Sequence, residues 1–101
     1  TVRQGLELAT RGGAAVLGRS DIGSLEAGKC ADFIAIRLDK LAYAGALHDP
    51  VAAILLCAPQ TVDWSVIGGK VIVEDGQLLT ADLPHLVEQH NRAASRLLQS
   101  V

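Results

Sequence analysis

A chain of 101 residues with a formal net charge of −2 is long enough for one small domain and too short for a catalytic barrel of about 250 residues. Half of the residues are hydrophobic and most of these are aliphatic, with one Trp, one Tyr and one Phe, which argues against disorder. Charges of both signs are scattered and form no basic run, so the composition predicts no nucleic-acid partner.

The longest apolar run, residues 51–58, is far shorter than the roughly 20 residues that cross a bilayer. No cationic leader precedes an apolar signal segment, and we therefore predict a cytoplasmic protein without a membrane partner. Cys30 and Cys57 both lie among apolar residues, which favours two buried thiols over a disulfide. The chain contains no Met and begins with Thr1, which fits a piece of a longer protein.

Residues 1–17 have the pattern of a helix. Thr1 and Gln4 have the spacing of a capping box, which satisfies N–H groups of the first turn. One face carries apolar residues at helical spacing: Leu6, Ala9 and Val16. Because each glycine costs a helix about 1 kcal/mol relative to alanine, the Gly12-Gly13 pair predicts a break between two short helices, with Gly18 closing the second.

The period of the pattern changes after residue 21. A short strand is predicted at residues 22–25 and a nearly continuous apolar strand at residues 33–38, with turn residues 26–29 between them. Gly28 can adopt the positive φ that such a turn needs. This pattern predicts a β-hairpin, followed by a loop at residues 39–47.

A second apolar segment covers residues 51–57. Asp49 is suited to be an N-cap and Pro50 to be the first helical residue, so a short buried helix is predicted. A buried strand is the alternative for the same residues. Pro59 is expected to end the segment.

The clearest β pattern follows. Residues 61–67 and 70–73 are joined by Gly68-Gly69, a two-residue hairpin turn that requires positive φ. Asp75-Gly76 forms a second turn of this kind before residues 77–79. Three antiparallel strands are predicted.

Asp82 is expected to cap a final helix with Pro84 in its first turn. Glu88 and Arg92 form a favourable i, i+4 pair. The apolar face of this helix is formed by Leu86, Ala93, Leu97 and Val101. The predicted fold class is therefore α+β, one compact unit in which a small antiparallel sheet (residues 19–81) is flanked by helices at residues 1–18 and 82–101.

Residues 23–30, GSLEAGKC, nearly match the nucleotide-binding loop G-x-x-x-x-G-K-[ST]. Such a loop follows a buried strand and opens a helix, whose N–H groups bind phosphate. Here Lys29-Cys30 leads into a strand-like run, and cysteine replaces the hydroxyl that would hold magnesium. We interpret the stretch as a hairpin rather than a nucleotide site. A second glycine motif, residues 13–18, follows a helix rather than a strand and is interpreted as structural.

Residues with catalytic chemistry form no complete site. His85 and His90 lie about 140° apart on a helix, and His48 has no cluster of ligands near it in sequence. Cys30 and Cys57 have no activating base beside them, and apolar neighbours raise the pKa of a thiol. The carboxylate pairs lie in turns and are expected to be solvated: Asp21 with Glu26, and Glu74 with Asp75.

Taken together, these segments resemble the amidohydrolase superfamily. Residues 8–18 resemble the closing helices of its barrel, and residues 22–33 are similar to its G-S-[IL]-x-x-G-K-x-A-D hairpin in a composite β-sandwich beside the barrel. Residues 48–51 and 62–76 are similar to the tail of the chlorohydrolase and aminohydrolase branch. Within that branch, residues 45–53 most resemble 8-oxoguanine deaminases.

The resemblance covers essentially the whole chain but only the C-terminal end of such an enzyme. It places the zinc or iron ligands on barrel strands upstream of Thr1, so no catalytic, cofactor-binding or metal-ligating residue is assigned here. The resemblance implies a longer enzyme that activates water on a metal and deaminates a purine-like heterocycle. It also implies that this chain is a scaffold part of that enzyme and is inactive alone. The alternative is a stand-alone binding or assembly module without catalysis.

The resemblance also implies roles and partners. Lys29 is expected to be a solvated turn residue, Cys30 a packed thiol and Asp32 a hydrogen-bond acceptor at the turn. The implied partners are the remainder of the barrel and further copies of the protein in a homo-oligomer. Apolar surface that includes Leu6 and Val16 would face the barrel, so the chain alone is expected to self-associate.

Overall fold

A computed structural model describes residues 1–57 and 61–100 of the chain. Its helices and strands form an α+β fold, as predicted. In chain order they are α1 (Val2–Glu7), a π-helical turn (Leu8–Gly12), α2 (Gly13–Val16), β1 (Phe33–Ala35), a 3-10 turn (Leu41–Tyr43), α3 (Pro50–Leu56), β2 (Trp64–Ile67), β3 (Lys70–Glu74), β4 (Gln77–Leu78) and α4 (Leu83–Gln99).

The N-terminal helical segment begins and ends at its predicted signals. The Thr1 side chain accepts from the backbone N–H of Gln4, whose side chain bonds back to the N-cap. At the other end Gly18 has φ +65°, and its N–H donates to the carbonyl of Ala15 at 3.0 Å. Both features depend on contacts within four residues, which explains why the pattern predicts them.

The predicted break at Gly12-Gly13 is wrong, because both glycines have right-handed helical backbone angles. The irregularity is instead the π-helical turn Leu8–Gly12, in which the N–H of Gly13 reaches back to the carbonyl of Leu8. A Cβ on Gly12 would lie 3.2 Å from Cδ1 of Leu8. Glycine therefore provides room at the widened turn instead of ending the helix.

The strand predicted at residues 22–25 is also wrong. Gly23 has φ +89°, which an extended strand does not allow, and residues 21–24 form bends. The loop is closed by backbone bonds from Cys30 N to Asp21 O at 2.8 Å and from Lys29 N to Glu26 O at 3.2 Å. The turn prediction at Gly28 is confirmed by its φ of +86°.

The four strands form one antiparallel sheet in the order β1-β2-β3-β4. Phe33 pairs with Val66, so β1 finds its partner in β2 rather than in the preceding loop. The Gly68-Gly69 and Asp75-Gly76 turns both have two consecutive positive φ values, as tight hairpin turns require. The three predicted C-terminal strands are confirmed, and β1 adds a fourth.

Helix α3 confirms the helical alternative for its segment. The Asp49 carboxylate accepts from the N–H groups of Val51 and Ala52, both at 3.2 Å, and Pro50 is the first helical residue. Arg3 on α1 forms an ion pair with Asp49 at 3.6 Å, which joins the first turns of the two helices. The predicted stop at Pro59 lies outside the described residues.

Helix α4 is capped as predicted, since Asp82 accepts from the N–H of His85 at 3.1 Å, and Pro84 lies in the first turn. Glu88 and Arg92 form the predicted ion pair. Every described residue of this helix is exposed. The apolar face thus contacts no core within the described chain, and Val101, assigned to that face, lies outside the described residues.

The buried apolar core is very small. Among the described residues it contains Ala14, Tyr43, Ala53 and Val66. The chain exposes 7726 Å², whereas a folded monomer of its mass, 10.6 kDa, exposes about 5,500 Å². Its radius of gyration of 17.8 Å likewise exceeds the about 13 Å of a compact domain of this length. The division at residues 18 and 81 stays a prediction.

Candidate functional site

The near-match to a nucleotide-binding loop is an internally bonded turn. Nζ of Lys29 donates to Oγ of Ser24 at 2.6 Å and lies 3.3 Å from Oε1 of Glu26. The Ser24 hydroxyl donates to the same Glu26 carboxylate at 2.6 Å, and this bond, followed by the Lys29 ammonium, lowers the pKa of Glu26.

Lys29 is therefore bonded within the turn, and only 26% of its side chain is exposed. The prediction that Lys29 is solvated is wrong. The element that follows is strand β1 rather than a helix. The turn has neither the free ammonium nor the helix N-terminus that phosphate binding needs.

Beside this turn, Arg19, Asp21 and Cys30 form a bonded cluster. The Arg19 guanidinium donates to both Asp21 oxygens, at 2.9 and 2.6 Å, and Sγ of Cys30 donates to Oδ2 at 3.2 Å. The bond from Arg19, then that from Cys30, holds the pKa of Asp21 far below its usual range. Asp21 is therefore a paired carboxylate, and the prediction that it is only solvated is wrong.

The thiols differ from each other more than the sequence indicates. Cys30 is partly buried and Cys57 is exposed, so the prediction of two buried thiols is wrong. Both cysteines are free thiols. The pKa of Cys30 is raised, first because the thiol donates to the Asp21 carboxylate and then because of burial. The pKa shift of Cys30 has the expected direction, but its main cause is the hydrogen bond to Asp21 rather than apolar neighbours. A raised pKa makes Cys30 a poor nucleophile.

Asp32 is the hydrogen-bond acceptor that was predicted at this end of the loop. Its Oδ1 accepts from the N–H of Gly68 at 2.6 Å, and the neighbouring carbonyl of Ala31 accepts from Gly69 at 3.0 Å. The two bonds attach the loop to the turn between β2 and β3. Residues 19–32 therefore connect the N-terminal helical segment to the sheet.

Asp63 is the structural residue that sequence reasoning missed. It is 8% exposed, and its carboxylate accepts from the backbone N–H of Arg37 at 2.7 Å and from Nζ of Lys40 at 2.8 Å to each oxygen. The ammonium, followed by the Arg37 N–H, lowers the pKa of Asp63. Its own carbonyl accepts from Gly76 at 2.9 Å. One carboxylate thus joins the end of β1, the next loop and the start of β2.

The sequence contains only a weak signal for the role of Asp63. Asp63 stands directly before the alternating strand that begins at Trp64, where a lone acid is unusual. Its cation is 23 residues away in the chain. No local spacing rule joins residues so far apart, and only the antiparallel pairing of β1 with β2 brings them together.

The three histidines do not converge. His85 contacts the Gln89 amide at 2.9 Å on one side of α4, His90 lies further along the same helix, and His48 precedes the Asp49 cap. Across residues 1–57 and 61–100, no three His, Cys, Asp or Glu side chains lie close enough together to hold a metal ion. These residues do not fit a catalytic metal site, which needs three protein ligands.

The helices also carry no membrane signal. In the part of the chain that the structure describes, none combines the length and the apolar character that crossing a bilayer demands.

The fold and the turns are those of a known family. Residues 1–91 match the amidohydrolase family, and the chain belongs to it. The chain is 48% identical over 90 residues to 8-oxoguanine deaminase of Pseudomonas aeruginosa, a match that covers 89% of this chain and 20% of that protein. It is 44% identical over 75 residues to hydroxydechloroatrazine ethylaminohydrolase of a Pseudomonas species, covering 71% of this chain and 15% of that protein.

Solved structures agree with this assignment. An adenosine deaminase from Xanthomonas campestris with bound zinc superposes with a TM-score of 0.87 at 31% identity, covering 100% of this chain and 23% of that one. An atrazine chlorohydrolase from Arthrobacter aurescens complexed with zinc has a TM-score of 0.81 at 36% identity, and the match covers 91% of this chain and 20% of that one. The chain spans about a fifth of the length of these relatives. The resemblance to amidohydrolases is therefore confirmed.

Proposed function

We propose that this chain is the C-terminal scaffold of a metal-dependent amidohydrolase and is inactive alone. The complete enzyme would hydrolytically deaminate a purine-like heterocycle of the 8-oxoguanine type. The observation that carries the scaffold role is the small core: only four apolar side chains are buried among the described residues, and a member of this family exposes 7726 Å² of surface. A surface this large fits a chain whose core is completed by other parts of the enzyme.

The proposed substrate class rests on the relatives. A deaminase of 8-oxoguanine is 48% identical to this chain, and a deaminase of 5-methylthioadenosine and S-adenosylhomocysteine from Desulforudis audaxviator is 36% identical over 97 residues. All three of these substrates contain a purine ring, which favours the purine-like class. The metal would be zinc or iron bound by the remainder of the barrel, because the described residues of this chain offer no set of ligands.

In this proposal the residues of the chain have structural roles: they fix the positions of the strands and of the turn between β2 and β3. Asp63 with Lys40 fixes the start of β2 against the end of β1, and Asp32 fixes the turn that follows β2. The sheet would form one part of a composite β-sandwich beside the barrel, and α1 with α2 would close the barrel wall. The proposed location of the whole enzyme is the cytoplasm.

A chimera tests the scaffold role. The matching fifth of the Pseudomonas aeruginosa deaminase is replaced by this chain, and ammonia release from 8-oxoguanine is measured with zinc supplied. We expect a folded, zinc-binding chimera that retains activity, and no release by the 101-residue chain alone. Deaminase activity of the isolated chain would contradict the proposal, as would a chimera that folds and binds zinc but has no activity.

The substrate class is tested on the native reading frame. If the coding sequence continues upstream of the codon for Thr1, we expect it to encode an H-x-H pair at the end of a strand. The encoded protein is then assayed with 8-oxoguanine, adenosine and hydroxylated triazines at equal concentrations. A preference for the triazines would overturn the purine-like class and leave the scaffold role standing.

A further inference from the structure

The turn between β3 and β4 contains a dipeptide that can rearrange its own backbone. Asp75 is followed by Gly76, and no other aspartate of the chain precedes a glycine. Both residues are exposed, and they form the two-residue turn that lets Glu74 pair with Gln77. Because glycine has no side chain, its nitrogen is easily approached, and aspartate followed by glycine is the sequence most prone to internal cyclisation.

The rearrangement begins when the Gly76 nitrogen attacks the side-chain carboxyl carbon of Asp75. A C–N bond forms, the nitrogen gives up its hydrogen and a carboxyl oxygen leaves as water, which closes a succinimide ring. Water then adds to the former main-chain carbonyl carbon of Asp75 and breaks its bond to nitrogen. The backbone now runs through Cβ and Cγ, which is isoaspartate. One water leaves and one is added, so the reaction needs no other reactant.

The folded chain uses the same N–H group that this reaction consumes. The N–H of Gly76 donates to the carbonyl oxygen of Asp63 at 2.9 Å, and a succinimide nitrogen has no hydrogen with which to make that bond. Asp63 is itself held in place, since its carboxylate accepts from Lys40 and from the backbone N–H of Arg37. Ring closure therefore requires that the turn first separates from the Asp63 carbonyl.

We propose that Asp75 is a site of spontaneous isoaspartate formation, and that the hydrogen bond from Gly76 to Asp63 suppresses the reaction while the sheet is folded. Local opening of the turn frees the Gly76 N–H and allows the ring to close. The inference is independent of the proposed catalytic class.

The product does not fit the folded turn. Isoaspartate adds a methylene to the backbone between positions 75 and 76, whereas a two-residue hairpin turn fixes the register of the strands that it joins. An isomerised chain is expected to lose the pairing of Glu74 with Gln77 and the bond from Gly76 to Asp63. Opening followed by isomerisation is thus a route by which β4 is detached from the sheet.

The intrinsic rate is measured on a synthetic peptide of residues 72–80, which lacks the partner at Asp63. The peptide and the folded 101-residue chain are incubated in the same neutral buffer, and isoaspartate is located by mass spectrometry with electron-transfer fragmentation. We expect the folded chain to isomerise at Asp75 at least about tenfold more slowly than the peptide. In denaturing urea the two rates should be equal. A folded chain that isomerises as fast as the peptide would overturn the proposal.

Two substitutions form a matched pair. Asp63→Asn weakens the attachment to Lys40 and should accelerate isomerisation at Asp75 by at least about fivefold. Asp39→Asn removes only an exposed ion pair with Arg37, so its rate should match that of the parent chain. Equal acceleration by the two substitutions would contradict the proposal.

Hydrogen exchange of the Gly76 amide, measured by NMR on the parent chain, keeps the test decisive if Asp63→Asn unfolds. In urea below the unfolding transition, the rate of isomerisation at Asp75 should rise in proportion to the rate of Gly76 amide exchange. An isomerisation rate that does not follow Gly76 exchange would show that the bond to Asp63 does not control the reaction.

Discussion

Gly23 lies so close to Ala14 that a Cβ on the glycine would be 2.8 Å from the Ala14 Cβ. The same Cβ would be 3.1 Å from the carbonyl oxygen of Thr10 and 3.2 Å from Cα of Arg11. Gly23 also has φ +89°. The contact seats the 19–32 loop on the N-terminal helical segment next to its π-helical turn. Only a residue without a side chain fits there.

We expect Gly23→Ala to destabilise the chain by more than about 2 kcal/mol, because it combines backbone strain with a clash against helix backbone. Gly28→Ala is the matched control. Gly28 has a similar φ of +86° but nothing within 4 Å of its Cβ position, so the strain alone should cost about 1 kcal/mol. Urea unfolding followed by circular dichroism measures both. An equal loss of unfolding free energy in both variants would show that the close contact with Ala14 does not contribute to the effect of Gly23→Ala.

The features that the sequence predicts correctly are those that need only near neighbours in the chain. The caps at Thr1, Asp49 and Asp82 and the turn at Gly68-Gly69 each join residues no more than four positions apart. The strand predicted at residues 22–25 fails for the opposite reason. Whether it is extended depends on the packing of Gly23 against the helical segment, a contact that no local pattern contains.

Asp63 illustrates the same limit at a site. Its partners, Lys40 and Arg37, come from a loop and a strand end that precede it by 23 and 26 residues. Their convergence follows from sheet topology, which residue spacing does not predict. Family resemblance predicts the fold class, but it does not indicate which carboxylate stabilises the sheet.

We expect the Asp63 carboxylate to make stability depend on pH. Its pKa is lowered in the folded chain, chiefly by Lys40, so its contribution is complete above the unfolded-state pKa of about 4 and is lost as the pH falls through the folded-state pKa. Asp63→Asn should therefore lower the Tm at neutral pH by roughly 5–10 °C. The difference should shrink on acidification, as measured by thermal melts from about pH 7 to about pH 3.

Asp39→Asn is the control for this pH dependence. Asp39 pairs with Arg37 at 2.7 Å, but 64% of each side chain is exposed, so solvent and salt screen the pair. Its removal should change the Tm little in moderate salt. If Asp39→Asn lowers the Tm as much as Asp63→Asn does, burial of the carboxylate is not the cause of the effect.

Removal of the Asp82 cap should unwind the first turn of α4. Its carboxylate accepts from the N–H of His85, and replacement of such a cap by alanine costs a helix about 1 kcal/mol. Asp82→Ala should lower the helix signal in far-UV circular dichroism, while Asp82→Ser, which can still cap, should preserve it. A serine variant with the same loss as alanine would indicate that the cap bond does not stabilise α4.

Cys30 should react with alkylating reagents much more slowly than Cys57. Its pKa is raised because the thiol donates to Asp21, and only the thiolate attacks, whereas Cys57 is exposed. Asp21→Asn removes the anion that opposes ionisation and should accelerate iodoacetamide labelling of Cys30, by roughly tenfold for each pKa unit recovered, with Cys57 unchanged. Mass spectrometry of the labelled peptides at about pH 8 follows both sites. Equal acceleration at both would indicate general unfolding instead of a change at the Asp21 pair.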